Sequence, residues 1–308
     1  MTVTHASAPV GKDSGGDSGT GSAAPRPHPR RPALGSRALR TAGFHLTAGM
    51  LSALWLLPIA LVLVTSTRTF DDIAAHGVGS LPHSFTLDGF RQAWVDGGQQ
   101  QALINSMLVT LPTVLLSLGL ASMAAFALSR YDLPLRRALL LLMLGGNLLP
   151  PQILLIPVAK LSEVMGIHDQ LYALIGVQVG FGVGFYVFVL HGFMRAIPDE
   201  IQQAAVIDGA SPWQIYRRII MPLARPALAA LSALSFTWIF NDLLWAITVL
   251  RTDTRMPITA SLIGLQGQYV SMWNVIAAGS VIAAAPTVAV FLRFQRHFVA
   301  GLNLGAVK

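Results

Sequence analysis

Cysteine is absent from the 308 residues, and Asp, Glu, Lys and Arg together make up only 11% of them. Without thiols there is no disulfide, no Cys-ligated zinc and no thiol nucleophile. With so few charges there is too little polar surface to clothe a water-soluble globule of this size. Catalytic constellations are missing as well. An integral membrane enzyme needs an H-E-x-x-H site or paired acids at membrane depth, whereas the eight histidines, His5, His28, His45, His76, His83, His168, His191 and His297, stand singly along the chain. No metal site is therefore expected. A phosphate-binding G-x-x-x-x-G-K-[ST] loop is also lacking, since Gly11-Lys12 is followed by Asp13.

What the chain has instead is apolar length. Hydrophobic residues make up 53% and mean hydropathy is +0.59. Residues 1–36 form a polar leader rich in Gly, Ser, Pro and Ala, with too little apolar surface to offset the entropy of ordering, and are expected to be disordered. Six apolar runs follow, near 46–67, 107–128, 138–159, 171–194, 226–250 and 274–294, each long enough to cross about 30 Å of hydrocarbon. The expectation is an all-α, six-span membrane protein, with 37–308 as its transmembrane domain. Pro58, Pro112, Pro150, Pro151, Pro157 and Pro286 fall within the spans and predict kinks, which are tolerated where neighbouring helices satisfy the freed carbonyls.

The formal charge of +7 has a topological meaning. With both termini in the cytoplasm, 16 of the 21 basic residues lie inside, leaving Arg68, Arg91, Lys160, Arg251 and Arg255 outside. A multi-pass protein of the cell membrane follows, and nucleic-acid binding is not needed to explain the charge. Small residues recur every fourth position at Thr113, Ser117, Ala121 and Ala125, and again at Gly176, Gly180 and Gly184. That spacing predicts faces buried in the bundle or at a subunit interface, because close backbone approach drives helix association in lipid.

Between the fourth and fifth runs, residues 197–226 read IPDEIQQAAVIDGASPWQIYRRIIMPLARP. Asp199 and Glu200 suit the first turn of a short helix, Gly209 suits its end, and Ser211-Pro212 suits the cap and first position of a second helix. Trp213, Tyr216 and Ile220 share a face of that second helix. The pattern predicts a helix-turn-helix elbow, either lying on the membrane surface or docking a soluble partner.

AAVIDGA followed by IIMP resembles the EAA loop of ABC importer permeases, with agreement at Ala204, Ala205, Asp208, Gly209, Ala210, Ile219, Pro222 and Pro226. Where the family usually carries a glutamate this chain has Gln203, which keeps an acceptor oxygen and loses the charge, while Glu200 leaves an acid nearby. The segments Thr86–Phe90, Asn105-Ser106, Ala124–Leu128, Ile156-Pro157 and Gly301–Lys308 are similar to the carbohydrate-uptake branch. The resemblance implies a non-catalytic permease of a type I importer, coupled to its ATPase through Glu200, Gln203, Ala204, Ala205, Asp208, Gly209, Ala210, Ile219 and Pro222. It further implies a heterodimer with a second permease, an ATPase dimer that holds ATP and Mg, and an extracytoplasmic solute-binding protein.

Polar residues within spans are the expected substrate path: Asn147 and Gln152, Gln178, then Asn241, Asp242 and Trp245, with Trp238 as a further aromatic. An ion-coupled secondary transporter is the rival reading, and it would need an inverted repeat and several intramembrane ionisable groups. Asp242 is the one acid well inside a run.

Overall fold

The computed structural model describes residues 34–268 and 272–304, so the polar leader up to residue 33 and the closing residues 305–308 lie outside the described residues. Among the described residues there are helices and no strands. By contacts the chain divides at Leu54/Trp55. In the first unit the described residues belong to α1 (Leu34–Ser66), and Phe44, Leu46, Met50, Leu51 and Leu54 are all exposed.

The second unit holds the last part of α1 and the remaining helices. A short α2 (Phe70–His76) is capped by the Thr69 hydroxyl, and α3 (Asp88–Arg91) runs on as a π-turn, Gln92–Asp96. The long α4 (Gln99–Arg130) precedes α5 (Arg136–Leu148), a 3-10 turn Pro151–Leu154 and α6 (Leu155–Val164). Then come α7 (Leu171–Arg195), α8 (Asp199–Ile207), α9 (Pro212–Ile215), a π-turn Tyr216–Ile220 and α10 (Met221–Leu223). The chain continues through α11 (Arg225–Phe240), α12 (Leu244–Val249), α13 (Ile258–Gln268) and α14 (Trp273–Leu304).

Among the described residues, four helical stretches are long and apolar enough to cross a membrane: Thr41–Ser66, Gln99–Arg130, Leu171–Arg195 and Trp273–Gln295. Two bent pairs pass the same test, Arg136–Leu148 with Pro151–Val164 at 89°, and Pro212–Leu223 with Arg225–Phe240 at 73°. The third apolar run is thus sharply broken where a kink was expected. Pro150 and Pro151 lack the N–H groups a helix needs, and Leu149 and Pro150 take extended backbone with ψ 131° and 124°. The fifth run stops at Phe240 and resumes at Leu244. There the Asn241 amide donates to the Thr237 carbonyl and the Asp242 carboxylate accepts from the Trp245 N–H, side-chain bonds that compete with the helical ladder. Pro58, Pro112 and Pro286 sit inside helices that continue through them.

The best-covered helix is α4, which packs along α7 and α11. Its buried face carries Asn105, Ser106, Thr110, Thr113, Ser117, Ala121, Ser122 and Ala125, while Leu108, Leu111, Leu115, Leu116 and Leu120 are exposed. That polarity is reversed relative to a soluble protein and suits a hydrocarbon solvent, in which close packing of small residues holds helices together. The expected burial of Thr113, Ser117, Ala121 and Ala125 is seen in full.

The glycine stripe of α7 divides. Gly184 is buried, and a Cβ there would stand 3.0 Å from the Met143 carbonyl of α5. Gly176 and Gly180 are exposed, with open space where a side chain would go. One turn of helix therefore rotates the stripe off the contact, and glycine spacing alone did not say where contact ends.

Candidate functional site

Two polar constructions stand out, one at mid-helix and one at the elbow. In the first, the break between α11 and α12 turns Asp242 toward α7. Its Oδ2 accepts from Gln178 Nε2 at 3.1 Å and from the Trp245 backbone N at 3.2 Å. Both donors converge on one oxygen, so the carboxylate is oriented by two helices.

Around it lies a cavity of about 280 Å³ lined by Asn147, Gln178, Asp242 and Trp245 together with Phe181, Phe185 and Trp238. Phe181 stacks on Trp245 with ring centres 4.7 Å apart, and Phe185 meets Trp238 at 5.3 Å. Asn147, exposed, donates to the Met143 carbonyl at 2.9 Å and so extends the polar rim onto α5. Four of the six expected polar and aromatic path residues, Asn147, Gln178, Asp242 and Trp245, thus share one cavity with Trp238, although they come from α5, α7, the α11–α12 break and α12. Gln152 and Asn241 are the exceptions. Gln152 is exposed in the 3-10 turn, and Asn241, also exposed, donates to Thr287 Oγ1 at 3.2 Å, which ties α11 to α14.

Sequence reasoning missed the two phenylalanines of this wall. Phe181 and Phe185 are four residues apart in a run with phenylalanine and glycine at many positions, and no local signal separates them from lipid-facing rings.

The elbow follows the expectation closely. Asp199 and Glu200 open α8, which ends with Asp208 as C-cap and Gly209 at φ 78°. Ser211 and Gln214 form a reciprocal capping box, with Gln214 Oε1 accepting from the Ser211 N–H at 2.8 Å, and Pro212 begins α9. Ala210 N–H donates to the Ala205 carbonyl at 2.9 Å, closing the turn. Ala205 is buried, whereas Glu200, Gln203, Ala204, Val206, Ile207 and Asp208 are exposed, Ile207 at 86%. Ile219 packs against the main core and Pro222 lies in the first turn of α10.

Three links join this elbow to the long helices. Arg130, the last residue of α4, donates to Asp199 Oδ1 at 2.6 Å, to the Met194 carbonyl at 2.7 Å and to the Ile197 carbonyl at 3.0 Å. The Tyr216 and Ser122 hydroxyls share a buried hydrogen bond of 2.8 Å. Aromatic rings continue it, with Tyr216 5.1 Å from Trp213 and 5.4 Å from Phe126. Gln203 borders a basic cleft of about 540 Å³ formed with Arg130, Arg136, Arg195 and Asp199.

At the far end of α7 another acid is heavily bonded. Asp169 accepts from the backbone N–H groups of Arg251 and Thr252 at 2.8 and 3.0 Å, from the Thr252 hydroxyl at 2.6 Å and from Arg255. The Arg251 N–H and then the Thr252 groups hold its carboxyl well below the usual range. Histidines read as isolated are also brought together, since His76 and His83 stack with ring centres 4.4 Å apart beside Asp72. The Asp-x-x-x-His spacing of Asp72 and His76 on one helix was the signal available for that pair.

Comparison with known proteins agrees with this construction. Residues 101–303 match the model of the family described as binding-protein-dependent transport system inner membrane component. The trehalose transport system permease protein SugB of Mycobacterium tuberculosis is 32% identical over 84% of this chain and 92% of its own length. The melibiose/raffinose/stachyose import permease protein MelC of Bacillus subtilis is 29% identical over 88% of this chain and 99% of its own. In fold, the chain is similar to a solved chain of a bacterial ABC transporter that imports the acidic polysaccharide alginate, at a TM-score of 0.74 and 21% identity, covering 88% of this chain and 100% of that one. With the family model spanning well over half of the sequence, the chain belongs to the binding-protein-dependent transport system inner membrane components, the permease subunits of ABC importers.

Proposed function

We propose that this chain is the membrane permease of an ATP-driven importer for a carbohydrate, which a solute-binding protein delivers and which passes beside Asp242. A sugar leaving water must exchange its hydration for protein hydrogen bonds. The cavity supplies Asp242, Gln178 and Asn147 as polar partners and Trp245, Trp238, Phe181 and Phe185 as flat apolar surfaces for the faces of a pyranose ring. Relatives named for trehalose and for melibiose, raffinose and stachyose support the substrate class. A second alginate transporter structure, in complex with a pentasaccharide-bound periplasmic protein, supports the delivery partner.

In this reading the four long helices, the broken pair Arg136–Leu148 with Pro151–Val164, and α11 continued by α12 make six spans, with 197–225 left between the fourth and fifth and both termini in the cytoplasm, as the 16 inward basic residues favour. The elbow then faces the cytoplasm. Its exposed Ala204, Val206, Ile207 and Asp208 dock into a separate ATPase that holds ATP and Mg. A second permease completes the path. Closure of the ATPase moves α8, and the Arg130–Asp199 and Tyr216–Ser122 links pass that motion to α4, whose other end helps line the interior.

The observation that carries the coupling role is Gly209, in left-handed backbone at the apex between two capped helices. Valine there meets open space but strains the backbone by roughly 1–2 kcal/mol, so the turn has to change shape. In vesicles reconstituted with the partner subunits, Gly209→Val is expected to lower uptake at least several-fold while ATP hydrolysis continues and the protein stays inserted. Uptake equal to wild type would remove the coupling role.

A further inference from the structure

Away from the cavity and the elbow, three side chains of metal-ligating type converge beside α2. Asp72 and His76 lie one turn apart on that helix, and His83 returns to them on the segment that follows. Asp72 Oδ1 is 3.1 Å from His76 Nδ1 and 3.4 Å from His83 Nδ1, and all three ligand atoms fall within 4.8 Å of one another. A four-coordinate ion with bonds of about 2.0–2.2 Å places its ligand atoms about 3.4 Å apart, so the spacing fits without moving the backbone.

The carboxylate is held for this role by groups behind it. Its other oxygen, Oδ2, accepts from Arg68 Nε at 2.8 Å and from the His83 backbone N–H at 3.2 Å. Arg68 is wholly buried and spends its remaining donors on the Gly77 and Ser80 carbonyls and the Ser80 hydroxyl, at 3.1, 3.2 and 2.8 Å. With Oδ2 engaged by Arg68 and the His83 N–H, Oδ1 is left to face the two imidazoles. Metal sites use the same arrangement, in which an outer hydrogen bond fixes the ligating carboxylate. Both histidine rings are exposed and stacked, free to turn their Nδ1 lone pairs toward a common point without disturbing the core.

We propose that Asp72, His76 and His83 form a binding site for one borderline divalent cation of the zinc type, with a fourth position open to water. Two imidazoles and one carboxylate select Zn²⁺, Co²⁺ or Ni²⁺ over Mg²⁺ and Ca²⁺, which take oxygen. A bound ion bridges α2 to the segment that follows it and adds a cross-link to the loop Arg68 already organises. The site stands independently of the transport reading.

The test uses the full chain in nanodiscs, purified through a tag without histidines. Zn²⁺ binding is measured by equilibrium dialysis, and ligand geometry by the visible absorption of Co²⁺. The wild type is expected to bind one more Zn²⁺ per chain than His76→Gln/His83→Gln, and each single substitution should weaken that ion by about tenfold or more. The Co²⁺ spectrum should be that of a four-coordinate ion and vanish in the double variant. Because both rings are exposed, the metal-free variants should unfold at the wild-type temperature, which separates loss of a ligand from loss of fold. Equal Zn²⁺ stoichiometry and affinity in wild type and double variant would overturn the site, as would no saturable binding by the wild type.

Discussion

Arg130 and Asp199 are 69 residues apart in sequence and 2.6 Å apart in space, and the arginine that reaches the acid also holds the two carbonyls at the end of α7. The Arg130 side chain is 1% exposed and that of Asp199 60%, so the two partners are not equivalent. Arg130→Ala leaves the Met194 and Ile197 carbonyls without their charged donor and should destabilise the protein by about 1.5–3 kcal/mol. Asp199→Asn loses an exposed pair and should cost about 1 kcal/mol or less. Thermal unfolding of both variants in one detergent checks the order, and equal losses would contradict it.

Gly184 and Gly180 lie one turn apart and make opposite predictions. Gly184→Leu forces a side chain into a space where Cβ alone meets Met143 O at 3.0 Å, and should cost about 1–3 kcal/mol or displace α5 from α7. Gly180→Leu meets open space and should leave the stability of the isolated chain within about 0.5 kcal/mol of wild type. Unfolding midpoints in matched detergent distinguish the two sites.

At the cavity, Asp242→Asn keeps an acceptor oxygen for Gln178 and the Trp245 N–H and removes the charge, whereas Asp242→Ala removes the acceptor as well. If a sugar passes here, the asparagine variant should import it with an apparent KM raised several-fold and near-normal folding. Alanine should lose about 1–3 kcal/mol of stability as well, since it orphans a part-buried amide. Uptake in vesicles at a range of sugar concentrations, paired with unfolding curves, reads both quantities.

Asp169 predicts a pH dependence. Its folded carboxyl ionises below the ordinary value of about 3.9, so the unfolded chain takes up the proton first as acid is added. The stability it contributes is therefore fully present above about pH 4–5 and declines as pH falls through that value toward the lower folded one. The difference in unfolding temperature between wild type and Asp169→Asn should be constant near neutrality and shrink below about pH 4.

Legibility in the sequence tracked locality. The elbow was readable to within a residue or two because its signals are local: acids in a first turn, a glycine past a helix end, Ser-Pro before the next helix. The buried face of α4 was readable because small residues keep helical period over several turns. The breaks at Leu149-Pro150 and Asn241–Leu243 were not, since hydropathy averages over them and proline marks an interruption without its angle. Arg68 was counted as an outside charge. Its burial rests on Asp72 four residues on and on acceptors 9 to 12 residues onward, and the latter no periodic pattern encodes.

The hydroxyls on the inward face of α4 have one more implication. Thr113 donates to the Val109 carbonyl, Ser122 to Gly119 and Ser129 to Phe126, each within its own helix. Those three hydroxyls are content before any neighbour arrives, which lowers the cost of exposing this rod to hydrocarbon, while Asn105 and Ser106 find their partners in the 254–258 segment. Biogenesis can thus proceed in two acts, threading first and lateral gathering afterwards, with grooves between small residues deciding which rods settle together.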